Sequence, residues 1–274
     1  MIIEYIAGFA VELKEPFDLS FISGFGEVFK VIDNWPGSGN LCFGAVKNGK
    51  KYFVKFAGAP KAKFDFKTPA DAVTWLREAE QVYKDIRHDN LIKFVRGVEA
   101  GGGYALVFEW TDAECVGLSF PETRDKFLSL PIKKKLACFD SVLDFHALVA
   151  EKGYVAIDFY HDQMLYDFTN DKLIICDIDF YQKSPYYGEK GLWGSANFVS
   201  PEECEPGARM DETTMVYTMG ASAFSIFADH DRSREKWPLS AESYGVIKKA
   251  VSDERRLRQR TIKDFIKEWN VCVR

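Results

Sequence analysis

The stretch NLCFGAVKNGKKYFVKFA, residues 40–57, holds two runs of β-branched and aromatic residues on either side of an Asn48-Gly49 pair. Asn-Gly is the strongest short hairpin signal, because both central positions of a type I′ turn require a positive φ. The two runs are therefore predicted to be neighbouring antiparallel strands. In the second run Lys55 alternates with Val54 and Phe56, so its side chain is expected on the opposite face of the sheet.

Further elements extend this hairpin on both sides. EVFKVID (27–33), LIKFVRGVEA (91–100) and YALVFEW (104–110) have the composition of strands. Residues 68–88 are predicted to form a helix, with Thr68 as its cap and Pro69 at its first position. Beyond residue 111 the apolar spacing becomes mainly helical, at 132–153, 213–229, 240–252 and 261–270. The chain is therefore predicted to be α+β with two lobes, 1–110 and 111–274.

Composition limits the classes of function. The chain has 274 residues, 47% of them hydrophobic, and a formal net charge of -5. No general basic surface exists, which disfavours nucleic acid or an anionic membrane as the main partner. The six cysteines are scattered without a CxxC pair, as is typical of a reducing compartment. The opening residues lack the basic start of a signal peptide, and no apolar run reaches about 18 residues. These features favour a soluble cytoplasmic protein.

A candidate phosphate-binding segment precedes and includes the first hairpin strand. PGSGNLCFGAV (36–46) supplies Gly37, Gly39 and Gly44, where the missing Cβ atoms let backbone N–H groups approach phosphate oxygens. A lysine on the neighbouring strand, Lys55, can hold the same oxygens. On these residues alone an ordinary turn and an edge-strand lysine explain the pattern equally well.

The order of these segments resembles a divergent bacterial-type Ser/Thr protein kinase with the eukaryotic-like protein kinase fold. That resemblance covers nearly the whole chain and implies a small N-terminal antiparallel sheet with one helix, followed by a larger, mainly helical lobe. FGAV (43–46) looks like the end of the family's glycine-rich loop, which implies that Val46 contacts the nucleotide. FVKF (53–56) looks like the strand that carries the nucleotide-binding lysine, here Lys55.

The resemblance continues through the second half of the first lobe. RHDNLIKF (87–94) is similar to the family segment that follows its conserved helix, and ALVFEWTD (105–112) looks like the hinge. It implies that Phe108 is the gatekeeper and that backbone groups of Glu109 and Thr111 bond adenine.

The family's lysine pairs with a glutamate on the preceding helix, and this sequence leaves two choices. Counting back from the histidine of RHDNLIKF leads to Ala79, which Glu78 and Glu80 flank. Glu78 is favoured as the partner of Lys55 because Val82 shares its helix face. A solvated surface charge is an equally good interpretation of each glutamate.

AIDFYHDQ (156–163) resembles the family's catalytic loop. Asp158 matches the catalytic base, and Gln163 takes the place of the metal-binding asparagine. The histidine and arginine that normally precede the aspartate are replaced by Ala156 and Ile157. The alternative for Asp158 is a turn residue at a strand end.

KLIICDIDFY (172–181) resembles the strand and metal-binding motif of the same family. Asp177 follows the apolar run as a magnesium ligand should, although the usual glycine is missing and Asp179 stands in that position. Asp179 has two equal interpretations, a ligand for a second metal or a solvated carboxylate. By contrast, His161 and Asp162 are predicted to be solvated loop residues, because the four histidines show no metal-binding spacing.

The most specific resemblance lies in GSANFVSPEE (194–203), which aligns with the family pattern GTxxYxxPE. In the family this segment receives the peptide substrate, and its glutamate, here Glu202, pairs with an arginine near the C-terminus. Arg258 and Arg260 are both available. VYTMGASAF (216–224) then resembles the family's core helix, except that Met215 replaces the aspartate that braces the catalytic loop.

The resemblance implies phosphoryl transfer from ATP, with Mg²⁺, to a hydroxyl of a protein Ser/Thr residue. Asp158 would orient and deprotonate the acceptor, Lys55 would hold the α- and β-phosphates, and Asp177 with Gln163 would ligate the metal. Two alternatives remain open. One is a small-molecule phosphotransferase, which Ile178-Asp179 and Tyr160 favour, and the other is a pseudokinase that binds nucleotide without turnover.

Overall fold

A computed structural model of the chain describes residues 1–32, 39–62, 68–188 and 195–273. It has α+β architecture with small antiparallel sheets and divides into two compact units. One unit is Met1–Asp85 with Ile92–Asp112, and the other is Ile86–Leu91 with Ala113–Arg274. The division after Asp112 lies two residues from the expected position, whereas residues 86–91 belong to the second unit rather than the first.

The first unit opens with a hairpin that the sequence analysis does not predict. Strands β1 (Ile2–Ile6) and β2 (Phe9–Leu13) pair antiparallel around Ala7 and Gly8, which have φ values of 49° and 87°. The inward side chains Val11 and Leu13 are fully buried in the core of this unit. The β-branched and aromatic residues of IIEYI and FAVEL, on either side of Ala7-Gly8, are the signal that could have predicted it.

A five-stranded antiparallel sheet forms the body of the first unit. The hairpin at Asn48-Gly49 is confirmed, since both residues have positive φ values of 52° and 74°. Val54 and Phe56 are fully buried in the core, and Lys55 projects from the opposite face, as the alternation predicts. In spatial order the strands are β3 (Glu27–Val31), β4 (Asn40–Lys47), β5 (Lys50–Ala57), β7 (Gly103–Glu109) and β6 (Phe94–Ala100).

Helix α1 (Pro69–Asp85) packs on the sheet face that carries Lys55. Its N-terminus is capped reciprocally, because the Thr68 hydroxyl accepts from the N–H of Asp71 and the Asp71 carboxylate accepts from Thr68. The Tyr83 ring meets Phe108 of β7 with ring centroids 4.8 Å apart. The residues that the sequence predicts for the buried face are all buried, namely Val73, Leu76, Val82 and Tyr83 of the helix and Ile86 directly after its end.

Helices dominate the second unit, and one of them is central. The helices are α2 (Pro121–Leu128), α3 (Ile132–Glu151), α4 (Glu212–Ala228), α5 (Ala241–Ala250) and α6 (Ile262–Val273). Almost every side chain of α4 is buried, and α3, α5 and α6 all pack against it. The predicted helices are confirmed to within a few residues.

Short strands of the second unit position its loops. The strand β9 (Tyr154–Val155) leads into the segment with Asp158, and β11 (Lys172–Ile175) leads into the segment with Asp177. The remaining strands are β8 (Glu114–Cys115), β10 (Met164–Asp167), β12 (Gln182–Lys183), β13 (Tyr186–Tyr187) and β14 (Arg209–Met210). Together the strands form three small antiparallel sheets, in the orders β11-β10-β8, β12-β9 and β13-β14.

A search of the described residues finds no helix with the length and apolar character needed to cross a membrane.

Candidate functional site

Asp158 and Asp177 share an uncommon backbone conformation. Their φ values are 66° and 56°, in the left-handed region that side chains other than glycine, asparagine and aspartate rarely enter. Neither residue lies in a hairpin turn or directly after a helix, the places where such values are ordinary. Positive φ values outside such turns are found preferentially at functional sites. The other described non-glycine residues with positive φ do lie in hairpin turns or directly after α4: Ala7, Asn48, Asp171, Asp229 and His230.

Gln163 connects the loops that carry the two aspartates. Its side-chain amide donates a short hydrogen bond to the backbone carbonyl of Asp158. Its own backbone carbonyl accepts a hydrogen bond of 3.0 Å from the N–H of Cys176. Cys176 is the residue directly before Asp177. The structure therefore brings together the three residues that the sequence analysis assigns to the base and the metal site.

The side-chain oxygen of Gln163 is buried and has no hydrogen-bond partner among the described residues. An unsatisfied buried oxygen is costly unless a ligand completes it, and an amide oxygen is a ligand type that Mg²⁺ accepts. The described residues contain no group of three or more His, Cys, Asp or Glu side chains arranged for a metal ion. A magnesium ion here would therefore take Asp177 and Gln163 from the protein and its other oxygens from phosphate or water.

His161 corrects one expectation of the sequence analysis. It was predicted to be a solvated loop residue, but its side chain is buried, with 3% exposure, and Asp162 is only partly exposed. The His161 Nδ1 lies 2.6 Å from the Asp162 carboxylate, and the ring packs on Phe198 and His230. Those two rings come from segments distant in sequence, so local polarity could not reveal the burial. The other ring nitrogen, Nε2, has no partner in the described part of the chain.

A narrow crevice beside Asp158 is lined by the segment that resembles the substrate-receiving motif. Ser195, Phe198 and Val199 line it together with Thr218 of α4. Gly194, the first residue of that motif, lies outside the described residues. The crevice is too narrow to admit a water molecule, so it joins this segment to the Asp158 loop, and an acceptor would have to approach Asp158 from outside it.

The Glu202 carboxylate anchors this segment. Arg258 binds it with two hydrogen bonds, of 2.7 Å and 2.9 Å, and its guanidinium is buried with 3% exposure. Burial alone would raise the pKa of Glu202, but the hydrogen bonds and charge of Arg258 outweigh it and hold the pKa below its ordinary value. Of the two arginines that the sequence offers, Arg258 is therefore the partner.

Glu203 is a buried acid that the sequence analysis does not single out. Its carboxylate accepts from the backbone N–H of Ser200, at 2.8 Å, and from the Ser200 hydroxyl, at 2.7 Å. Burial raises the pKa of Glu203 to about 7. The residue also lines the crevice with Asp158. The Ser-x-x-Glu spacing, which is typical of a capping box, is the sequence signal that identifies it.

In the first unit, Lys55 is buried in β5 with 8% exposure, opposite Cys42 of β4 and Leu106 of β7. Of the glycines assigned to the phosphates, Gly37 lies outside the described residues, and Gly39 is buried directly before β4.

Gly44 lies within β4 on the same face as Lys55, between two aromatic rings. A Cβ there would come within 2.6 Å of Phe29 and 2.8 Å of Trp110. Those rings pack edge to face, with centroids 4.8 Å apart. Gly44 therefore makes room for side chains of this chain, a role distinct from a close approach of backbone to phosphate.

Two of the residues assigned to adenine, Phe108 and Glu109, lie in β7 of the same sheet, and Phe108 shares a cross-strand row with Phe53 and Gly44. Phe108 is buried and packs on Phe53 of β5, with ring centroids 6.0 Å apart. Glu109 ends β7 with an exposed side chain. Val46 and Thr111 are each partly exposed.

The expected partner of Lys55 on α1 lies elsewhere. Glu78 is exposed and forms no hydrogen bond or ion pair with another described residue, so its expected pairing with Lys55 is not formed. Ala79, not Glu78, shares the buried face of the helix and is fully buried, because one residue changes the direction of a helical side chain by about 100°.

The second candidate, Glu80, has other partners. Its carboxylate accepts from the Tyr104 hydroxyl at 2.7 Å and from the N–H of Gly97 at 3.2 Å, and it pairs with Lys84 at 3.0 Å. Burial acts to raise the pKa of Glu80, but these contacts outweigh it and the pKa lies below its ordinary value. Glu80 thus joins α1 to β6 and β7.

No protein-family model matches this chain, and a comparison with curated proteins gives no match. What the chain does must therefore be inferred from the residues described above.

Proposed function

We propose that the protein is an ATP-dependent phosphotransferase with a protein kinase-like fold, which moves the γ-phosphate to a hydroxyl. The observation that carries the proposal is the arrangement of Gln163. Its amide holds the backbone of Asp158, its backbone holds the residue before Asp177, and its side-chain oxygen is buried without a partner among the described residues. A base and two metal ligands are thereby set in one network.

The proposed reaction needs little covalent chemistry from the protein. The acceptor oxygen attacks the γ-phosphorus, the bond to the β–γ bridging oxygen breaks, and ADP leaves with that electron pair. Asp158 orients the acceptor and takes its proton, and Lys55 holds the α- and β-phosphates. Bound Mg²⁺ would neutralise the phosphate charge, with Asp177 and Gln163 as its protein ligands.

A Ser or Thr residue of a protein is the proposed acceptor. The bidentate pair of Glu202 and Arg258 fixes the end of a segment whose residues Ser195 and Phe198 line the crevice beside Asp158. In the proposal a peptide acceptor lies against this anchored segment. A small-molecule acceptor needs no such segment, although Tyr160 and Asp179 leave that class as an alternative.

A nucleotide-binding module without turnover is the second candidate, and α1 favours it. The family's lysine is held by a glutamate, whereas here Glu78 is exposed and Ala79 occupies the buried face. The rings of Phe29 and Trp110 also cover Gly44 on the Lys55 face of the sheet. Both features allow nucleotide to bind without the phosphate alignment that catalysis requires.

The test is transfer of label from γ-labelled ATP with Mg²⁺, offered to a generic protein acceptor and to a panel of small hydroxyl compounds. The informative variant is Asp158→Asn, and Asp171→Asn is its matched control. Both aspartates have positive φ, which asparagine also adopts readily, but Asp171 lies in the β10–β11 turn. Transfer that is lost in Asp158→Asn and kept in Asp171→Asn is the expected result. Nucleotide-dependent thermal stabilisation without any transfer would support the binding module instead.

A further inference from the structure

The loop with Asp158 lacks the residues that would ordinarily brace it. Ala156 and Ile157 precede the aspartate, and the fully buried Met215 stands where α4 would present a carboxylate. None of these three side chains can form a charged or hydrogen-bonded brace. The Gln163 amide holds the carbonyl of Asp158 from within the loop, so the question is which side chain holds the loop from outside.

His146 of α3 is fully buried beneath this loop, and its two ring nitrogens have defined roles. Nδ1 lies 2.8 Å from the carbonyl oxygen of Val142, and Nε2 lies 2.9 Å from the hydroxyl of Tyr181. A carbonyl oxygen can only accept, so Nδ1 carries the proton and Nε2 accepts from Tyr181. Burial lowers the pKa of His146 to about 3, so this neutral tautomer is the form present near neutral pH.

The same imidazole contacts both loops of the candidate site. The ring of Phe159, directly after Asp158, packs on it with centroids 4.4 Å apart. Tyr181 comes four residues after Asp177 and closes that loop, because its backbone N–H donates to the carbonyl of Ile178 at 3.2 Å. One side chain on a long helix therefore touches the base loop through an aromatic ring and the metal loop through a hydrogen bond.

We propose that His146 is a positioning residue, which fixes Asp158 and Asp177 relative to each other by contacting Phe159 and Tyr181. Its effect on turnover rests on the proposed function, whereas its effect on the two loops does not. A histidine that only satisfied the core would stabilise the unit without coupling the loops. The positioning role and a purely structural role can be distinguished by removing the hydrogen bond between His146 and Tyr181. Only the positioning role predicts that the Asp158 loop then becomes less ordered.

Tyr181→Phe is the informative variant, because it deletes one hydroxyl and keeps the ring. Ser243→Ala is the matched control, because it deletes a buried hydroxyl of the same unit that accepts from Trp237 at 3.0 Å. We expect hydrogen–deuterium exchange in Tyr181→Phe to accelerate about tenfold or more in both segments 156–163 and 176–181. The control should accelerate neither segment preferentially. Acceleration confined to 176–181, or equal in the two variants, would overturn the positioning role.

Kinetics give the second readout. If the wild-type protein transfers phosphate, Tyr181→Phe and His146→Leu should each lower kcat about tenfold or more with little change in the KM for ATP. The double variant should be no worse than the worse single variant, since the two residues act through one contact. His146→Gln, which keeps an acceptor for the Tyr181 hydroxyl, should recover part of kcat. Fully additive losses would contradict the proposal. Absence of transfer in the wild type would count against the proposed function alone, because the exchange readout still tests the positioning role.

Discussion

The side-chain amide of Gln163 donates to the backbone carbonyl of Asp158, and this bond leaves the Gln163 side-chain oxygen buried without a hydrogen-bond partner in the described ranges. Donor and acceptor of one amide thus have different roles, one holding the loop and one left for a ligand. The longer arm of glutamine, compared with asparagine, can serve both roles because the backbone of Gln163 is itself fixed through Cys176.

Gln163→Leu should affect both roles of the amide, and each effect can be measured without an activity assay. We expect a loss of about 1–3 kcal/mol in the free energy of unfolding, because the carbonyl of the half-buried Asp158 loses its donor. We also expect weaker Mg²⁺ binding, seen as a higher Mg²⁺ concentration needed for nucleotide-dependent thermal stabilisation. Urea unfolding and a Mg²⁺ titration measure the two effects. An unchanged Mg²⁺ requirement would remove Gln163 from the metal site.

Lys55 and Glu78 should behave independently. Lys55→Met should lower the rate of phosphoryl transfer roughly 100-fold or more, because it removes the positive charge that would hold the phosphates. Glu78→Ala should leave the rate within about twofold, because the exposed Glu78 carboxylate forms no hydrogen bond or ion pair with a described residue. Steady-state rates of the two variants check this. Equal losses in both would show that the pair forms during turnover.

The pair of Glu202 and Arg258 should dominate the local stability. Glu202→Ala leaves the buried Arg258 guanidinium without its bidentate partner, and we expect a loss of about 3–5 kcal/mol. Glu254→Ala removes the partner of the exposed Arg256 and should cost less than about 1 kcal/mol. Urea unfolding of both variants gives the comparison, and similar losses would contradict it.

Glu203 should make the stability fall as the pH rises toward neutrality. Its pKa is raised from 4.5 to about 7 in the folded protein, so between these values the folded chain binds more protons than the unfolded chain. The contribution of Glu203 is therefore most favourable below pH 4.5 and is lost as the pH passes through about 7. Glu203→Gln keeps an acceptor for Ser200 but does not titrate. The difference in unfolding free energy between wild type and this variant should change across pH 5–8, and a constant difference would rule out the raised pKa.

Two glycine-to-alanine substitutions should change the free energy of unfolding in opposite directions. A Cβ at Gly44 would overlap the rings of Phe29 and Trp110, so Gly44→Ala should cost about 1–3 kcal/mol and alter tryptophan fluorescence. A Cβ at Gly245, inside α5, meets no described atom within 4 Å, so Gly245→Ala should stabilise by about 0.5–1 kcal/mol. Thermal unfolding of both variants measures the two signs.

Local patterns predict much of the fold in advance. The Asn48-Gly49 turn, the buried face of α1 and the helices of the second unit follow from turn chemistry and periodicity, which depend only on neighbouring residues. The β1–β2 hairpin is too short to give a strong periodic signal.

The candidate site is less predictable, since burial depends on distant segments. His161 is polar in sequence but is covered by Phe198 and His230, which lie more than 30 residues away. The pairing of Lys55 depends on the rotation of α1, where a shift of one residue decides between Ala79 and Glu78. Counting residues back from His88 cannot resolve a shift of one position, so the sequence does not decide between Ala79 and Glu78.

The rotation of α1 has a consequence for control of the protein. The helix is joined to β6 and β7 by the bidentate bond of Arg77 to Glu99 and by the Glu80 contacts with Tyr104 and Gly97. Neither Glu78 nor Glu80 links it to Lys55. A swing of α1 would have to break the bonds to β6 and β7 without making or breaking a glutamate pair at the lysine. A switch needs an element with two arrangements that a ligand binds differently, and these bonds to β6 and β7 favour a single arrangement of α1.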